Sequence, residues 1–214
     1  MIPTHHPDFE ILLDYASGNL PLAPSVIIAV HVSMCPECRE ILKSIEIAGA
    51  VLTDNLNNEN IETSSLEKVL SKLDYMSDTI NEDNVIKSKD FDLPIPSTLK
   101  PYMPNDLNWK NLSSGVKTLE LLTNDGFNLD IYKILPGYKI PKHTHKGSEF
   151  TLVFDGGYTD EDNHFGPGDF SLLDHTTDHA PRADSDKDCY CIVAMNSKIK
   201  LTGTFSRFIN FINN

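Results

Sequence analysis

The sequence is poor in basic residues. Its 214 residues hold 18 Lys+Arg against 31 Asp+Glu, a formal net charge of -13 at pH 7. That excess of acid argues against unaided binding to DNA, RNA or an anionic membrane. Long apolar runs are missing too, and none approaches the roughly 20 residues that a membrane helix needs. The opening stretch, MIPTHHPDFE, has no basic segment followed by an apolar one. No secretory signal is read there, and a cytoplasmic location is expected. Cysteine is scarce: the four residues fall in two close pairs, Cys35/Cys38 and Cys189/Cys191. In a reducing compartment such spacing speaks for metal or redox chemistry more than for structural disulfides.

What is present suits two small domains. A hydrophobic content of 40% can supply buried cores, and the length exceeds that of one compact unit. Charge is uneven, since residues 1–84 carry 4 Lys+Arg against 14 Asp+Glu, and the remainder 14 against 17. An acidic first half would steer a basic protein partner. It would serve equally as a solubilising surface.

The first part reads as helices. Asp8 can cap a helix carrying Phe9, Leu12, Leu13 and Ala16 that ends at Gly18. A second runs from about Pro24 to Ser33. Pro36 suits the first turn of a third, whose Ile41, Leu42, Ile45, Ala48 and Leu52 form a stripe. Ser64 and Glu67 make a candidate capping box for a fourth. The polar, aperiodic stretch SDTINEDNVIKSKDFD reads as a linker. Beyond it come short β-prone runs, VKTLELL, FNLDIYKIL, EFTLVF, DFSLL, CYCIVAM, IKLTGTF and RFINFI, separated by Pro/Gly turns. Many short strands at regular spacing predict a barrel or double-sheet sandwich. The expected organisation is α+β in two domains. Residues 1–76 are expected to form a helical domain, 77–92 a linker and 93–214 an all-β barrel.

The first part also carries metal-ligand chemistry. On a helix, His31 and Cys35 share a face, and Cys38 follows through a Cys-Pro-Glu-Cys turn that lets both sulfurs converge. Three soft or borderline ligands in eight residues suit zinc, which in structural sites takes four N/S ligands tetrahedrally. His5 or His6 could supply the fourth, and spacing does not choose. A thioredoxin-like redox pair is the competing reading, weakened because no βαβ pattern surrounds it.

These residues resemble the zinc anti-sigma family, whose signature is a distant His followed by His-x3-Cys-x2-Cys. The stretch HHPDFEILLDYASGN is similar to the double His and Tyr-Ala-x-Gly helix that open the ChrR-type members. The resemblance implies His6 as the fourth ligand beside His31, Cys35 and Cys38. It also implies an extracytoplasmic-function sigma factor as protein partner, kept from RNA polymerase.

In the second part, His143 and His145 alternate by two and so share a strand face, with Glu149 four residues beyond. Two imidazoles and a carboxylate suit a borderline divalent ion, with a further His able to complete the set. The segment from Gly137 to Gly156 is similar to the first cupin motif, Gly-x5-His-x-His-x3-Glu-x6-Gly, at every fixed position. The Gly166-Pro167-Gly168-Asp169 turn resembles the second motif and implies His179 as the remaining ligand, with His175 as runner-up. Zinc is the first choice of metal, with iron, manganese and nickel fitting the same ligands. Cys189 and Cys191 share a strand face. They are a candidate redox pair, with two buried small hydrophobes as the favoured reading. His164 reads as a surface residue and Trp109 as packing.

A zinc-stapled helical domain joined to a cupin resembles ChrR-type anti-sigma factors along nearly the whole chain. That resemblance implies a regulator and not an enzyme. The helical domain would hold the sigma factor, and the cupin would release it on oxidative stress such as singlet oxygen or organic peroxide. The alternative is a cupin metalloenzyme, a dioxygenase or hydrolase, with a helical appendage.

Overall fold

A computed structural model of the chain describes residues 2–54, 56, 62, 64–76, 95–161 and 163–202. Two compact units emerge, one comprising Met1–Glu46 with Leu93–Asn214 and the other Ile47–Asp92. The expected linker at 77–92 and the run RFINFI lie outside the described residues.

Helix α1 (Phe9–Ala16) begins where Asp8 accepts a hydrogen bond from the Ile11 N–H at 2.9 Å, a side-chain N-cap of the usual kind. It ends at Ser17, followed by Gly18 at φ 73. Helix α2 (Leu22–Met34) is apolar on nearly every side and correspondingly buried, through Ala23, Val26, Ile27, Ile28 and Val30. It packs on α1 and on the barrel strands described below. Each fully buried Ile or Val contributes roughly 1.5–3 kcal/mol of transfer free energy, partly offset by ordering entropy. Helix α3 (Pro36–Thr53) starts one residue after the α2 C-cap, Cys35. Its Cys38 and Leu42 are buried. In the second unit, the end of α3 exposes Ile47 and Val51, and α4 (Ser64–Met76) exposes Leu66, Val69 and Leu70. Ser64 is the first residue of α4 and not its cap, with its hydroxyl 3.4 Å from Glu62 Oε2.

After a 3-10 turn at Lys100–Tyr102, twelve strands follow among the described residues. A six-stranded antiparallel sheet has the order β1 (Lys110–Ser113), β2 (Val116–Asn124), β3 (Phe127–Ile134), β11 (Cys189–Met195), β5 (Glu149–Asp155) and β8 (Phe170–Leu173). A second sheet joins β10 (Arg182–Ala183), β6 (Tyr158–Asp160) and β7 (Asn163–Phe165). A third joins β12 (Ile199–Leu201), β4 (His143–His145) and β9 (Asp178–His179). This layered antiparallel arrangement is a jelly-roll-like barrel. Gly156, at φ 73, is required where β5 ends, because a Cβ there would lie 2.3 Å from the Asp188 carbonyl oxygen. Leu119, Leu129, Ile131, Leu152 and Ile192 fill the core of the large sheet, each at most 1% exposed.

Candidate metal centres

The first cluster forms where three backbone elements meet. His31 occupies the last turn of α2, Cys35 caps that helix, and Cys38 stands in the first turn of α3. His6 comes from the segment before α1. One ligand atom from each of the four lies within 4.8 Å of the others. His31 Nε2 is 3.2 Å from Cys38 Sγ, and His6 Nδ1 is 3.3 Å from Cys35 Sγ and 3.5 Å from Cys38 Sγ. Tetrahedral zinc bonds to N and S would hold such atoms roughly 3.5–3.8 Å apart, so the set needs little movement to close on an ion. Of the two histidines that spacing left open, His6 enters the cluster. His5 turns away, its ring 4.3 Å from that of Phe165.

Electrostatics point the same way. Burial first, and then the neighbouring Cys35, push the Cys38 thiol up to about 12. Two buried thiols resist ionising together, and a bound cation reverses that preference. The Cys38 N–H already donates to Cys35 Sγ at 3.4 Å. Burial also lowers the His31 pKa, which favours the neutral imidazole that ligates metal. His31 Nδ1 donates to the Gly168 carbonyl at 2.8 Å, leaving Nε2 bare toward Cys38.

That carbonyl belongs to the barrel, in the turn between β7 and β8. The turn grips the amino-terminal segment at further points. The Asp169 carboxylate accepts the backbone N–H groups of His5 at 2.9 Å and Gly166 at 2.8 Å, and also that of Thr4. The Phe170 N–H donates to the His5 carbonyl at 3.1 Å. Gly168, at φ 94, admits this approach, since a Cβ there would lie 2.6 Å from Pro3 Cγ.

The second cluster is set by strand register. β4 lies between β9 and β12, with His143 opposite His179 and His145 opposite Ile199. His179 Nε2 is 3.0 Å from His143 Nε2 and 3.1 Å from His145 Nε2. His143 Nδ1 donates to the Pro141 carbonyl at 2.8 Å, and His179 Nδ1 to Asp160 Oδ2 at 2.5 Å. Both Nε2 atoms therefore present lone pairs to each other; a cation can take both together with His145 Nε2, whereas a proton bridges only two nitrogens. Burial, then the other two histidines, lower the His145 pKa to about 4. Among the described residues, His145 Nδ1 and Asp160 Oδ1 are buried with no hydrogen-bond partner.

Glu149 stands beside this trio and not within it. Its Oε2 is 3.5 Å from His145 Nδ1, and its Oε1 accepts the Thr151 hydroxyl at 3.0 Å. Burial raises its carboxyl pKa. His175, the runner-up, is exposed beside Asp174. His164 is exposed and pairs with Asp184 at 2.9 Å. Trp109 is half-buried.

Cys189 and Cys191 are buried among Val116, Val153, Tyr158 and Val193. Their sulfurs are 3.6 Å apart. The β11–β5 pairing shifts register between Tyr190 and Cys191, with the extra residue, Phe154, on β5; β11 itself alternates regularly along β3, and Cys189, Cys191 and Val193 line one face as the strand reading expects.

The family profile described as the ChrR cupin-like domain matches residues 102–198. The anti-sigma-E factor ChrR of Cereibacter sphaeroides is 28% identical over 208 residues, covering 96% of this chain and 95% of that protein. The crystal structure of Rhodobacter sphaeroides SigE in complex with the anti-sigma ChrR contains a similar chain. It aligns at 30% identity with a TM-score of 0.74, over 90% of this chain and 99% of that one.

Proposed function

Because the chain belongs to the ChrR-type anti-sigma family, we propose that it binds and inhibits an extracytoplasmic-function sigma factor. The observation that carries this is the near end-to-end likeness to a chain crystallised with its sigma factor. Apolar helix positions left facing water support it. In the first unit α1 exposes Phe9 (60%) and Leu13 (44%), one helical turn apart. In the second, Ile47 and Val51 on α3 repeat that spacing, and Leu66, Val69 and Leu70 repeat it on α4. Stripes of this kind on a soluble helix mark protein interfaces. The acidic first half suits a basic face on the partner.

In this reading zinc held by His6, His31, Cys35 and Cys38 fixes the join of α2, α3 and the amino-terminal segment. Residues 1–76 then act as the sigma-binding part, 77–92 as the linker and 93–214 as the cupin. His143, His145 and His179, with Glu149 alongside, would hold a second divalent ion, zinc first and iron, manganese or nickel after it. Oxidative stress, as singlet oxygen or organic peroxide, acts at the cupin and ends the inhibition. The Gly166–Asp169 turn is a physical route for the signal, since it contacts both the barrel and His31. The protein then works as a cytoplasmic regulator and not as an enzyme.

The test is co-expression with a sigma factor encoded beside it, with transcription from the sigma-dependent promoter as readout. A stable complex and silenced transcription are expected, and both are expected to be lost in Cys35→Ser/Cys38→Ser. If the wild-type chain leaves transcription unchanged, the proposal fails. Adding an organic peroxide should restore transcription with wild-type protein and not with His143→Ala. Equal restoration in both would remove the cupin from the release step.

A further inference from the structure

The barrel encloses a cavity of about 780 Å³, within the range of pockets that take small organic ligands. Its walls are mostly apolar, supplied by Val116, Ile134, Ile140, Val193 and Met195, while His143, His179 and Glu149 form a polar patch on one side. Lysine is also there, an unexpected feature in a chain of net charge -13. Lys146 and Lys198 both line the cavity and are exposed.

β12 runs antiparallel to β4 with Ile199 across from His145. Lys146 directly follows β4 and Lys198 directly precedes β12, so both stand at the same end of this strand pair. Like charges gathered at one strand end repel. Neither lysine has a carboxylate within ion-pair distance among the described residues. Four lysines elsewhere on the barrel do: Lys110 pairs with Glu120, Lys133 with Asp188, Lys142 with Asp178 and Lys187 with Asp155. Lys200, which also lines the cavity, shares the unpaired state of Lys146 and Lys198 among the described residues. The mouth also exposes apolar side chains, Leu112 at 58% and Ile199 at 36%.

We infer that the cavity binds an amphiphilic monoanion, a medium-chain carboxylate, with its tail among the apolar wall residues and its head group between Lys146 and Lys198. An anionic head relieves the lysine–lysine repulsion. A chain of methylene groups removes apolar wall and ligand surface from water together. A polar dianion would gain from the lysines but not from the walls, and an apolar neutral ligand the reverse. The surrounding acidic surface disfavours adventitious anion binding elsewhere. The inference stands on the cavity and is read without any sigma factor, so its failure and that of the regulatory function are separate results.

The experiment is calorimetric titration of the full-length, metal-loaded protein with decanoate, decanol and decyltrimethylammonium. Saturable one-to-one binding of decanoate is expected, with decanol weaker and the cation not bound. Lys146→Glu/Lys198→Glu should weaken decanoate by about tenfold or more and leave decanol unchanged, which also shows that the variant is folded. Val193→Trp, which fills the cavity, should weaken both ligands. Absence of decanoate binding, equal affinity for decanoate and decanol, or unchanged decanoate affinity in the lysine variant would each overturn the inference.

Discussion

Replacing Asp169 by Ala tests the join between the amino-terminal segment and the barrel. The wild-type carboxylate is 5% exposed and accepts three backbone N–H groups, from Thr4, His5 and Gly166. Losing the acceptor strands the buried Gly166 N–H at about 1–3 kcal/mol, while the Thr4 and His5 groups can turn to water at about 0.5–1 kcal/mol each. The expected loss is therefore about 3 kcal/mol, or about 6–12 °C in Tm for a unit of this size. The carboxyl fixes the sign of the pH dependence. Burial alone would raise its pKa, but the N–H donors outweigh burial and hold it below the usual carboxylate value. Its stabilisation is thus present above the unfolded carboxylate pKa, about 3.9, and lost as pH falls through the lower folded value. The difference in Tm between wild type and variant should be full at pH 7 and shrink below about pH 4. Because His6 follows His5, the variant should also lose an ion held by the Cys/His cluster faster to a chromogenic chelator. Melting followed by circular dichroism, with chelator kinetics in parallel, reads both effects. Wild-type Tm together with a wild-type release rate would refute the reasoning.

Three further outcomes are expected. Stripping metal from the Cys/His cluster of the wild-type chain should lower helicity and abolish sigma binding, because metal affinity is coupled to local folding; undiminished helicity in metal-free protein would count against a structural ion. His179→Ala removes one of three convergent imidazoles and should empty the barrel site while the Cys/His site keeps its metal, as read by elemental analysis; unchanged metal content would exclude His179 as a ligand. Metal-free protein should lose stability as pH falls from about 6.5 to about 4, because burial lowers the folded His145 pKa across that window. There the unfolded chain binds the proton and the folded chain does not. A flat urea midpoint between these values would contradict the buried neutral imidazole.

Spacing carried much of the candidate site. His31, Cys35 and Cys38 converge because a helix end, a cap and a first turn are local geometry. His143 and His145 share a face because a strand alternates. His5 and His6 were different, since either could reach the cluster. The choice falls to long-range contacts, with Phe165 holding the His5 ring and Asp169 its backbone. Glu149 counts among the four barrel ligands by motif. It stands beside the trio, with Oε1 accepting the Thr151 hydroxyl and Oε2 3.5 Å from His145 Nδ1. The long strands β2, β3, β5 and β11 were visible as β-prone runs. β6, β7, β9 and β10, at two or three residues each, are too short to show any periodicity. The His31–Gly168 bond had no sequence signal at all, because its acceptor is a main-chain oxygen.

That last point reaches into how the protein can be probed. Every residue carries a carbonyl, so truncating side chains one by one along the β7–β8 turn leaves this acceptor in place. What reaches it is the shape of the main chain. Gly168→Ala places a methyl group at φ 94 against Pro3, forcing the turn to shift and carrying the oxygen away from the imidazole. Drift in most of the surrounding side chains would likewise leave the bond standing, while a single added carbon at this glycine would loosen it.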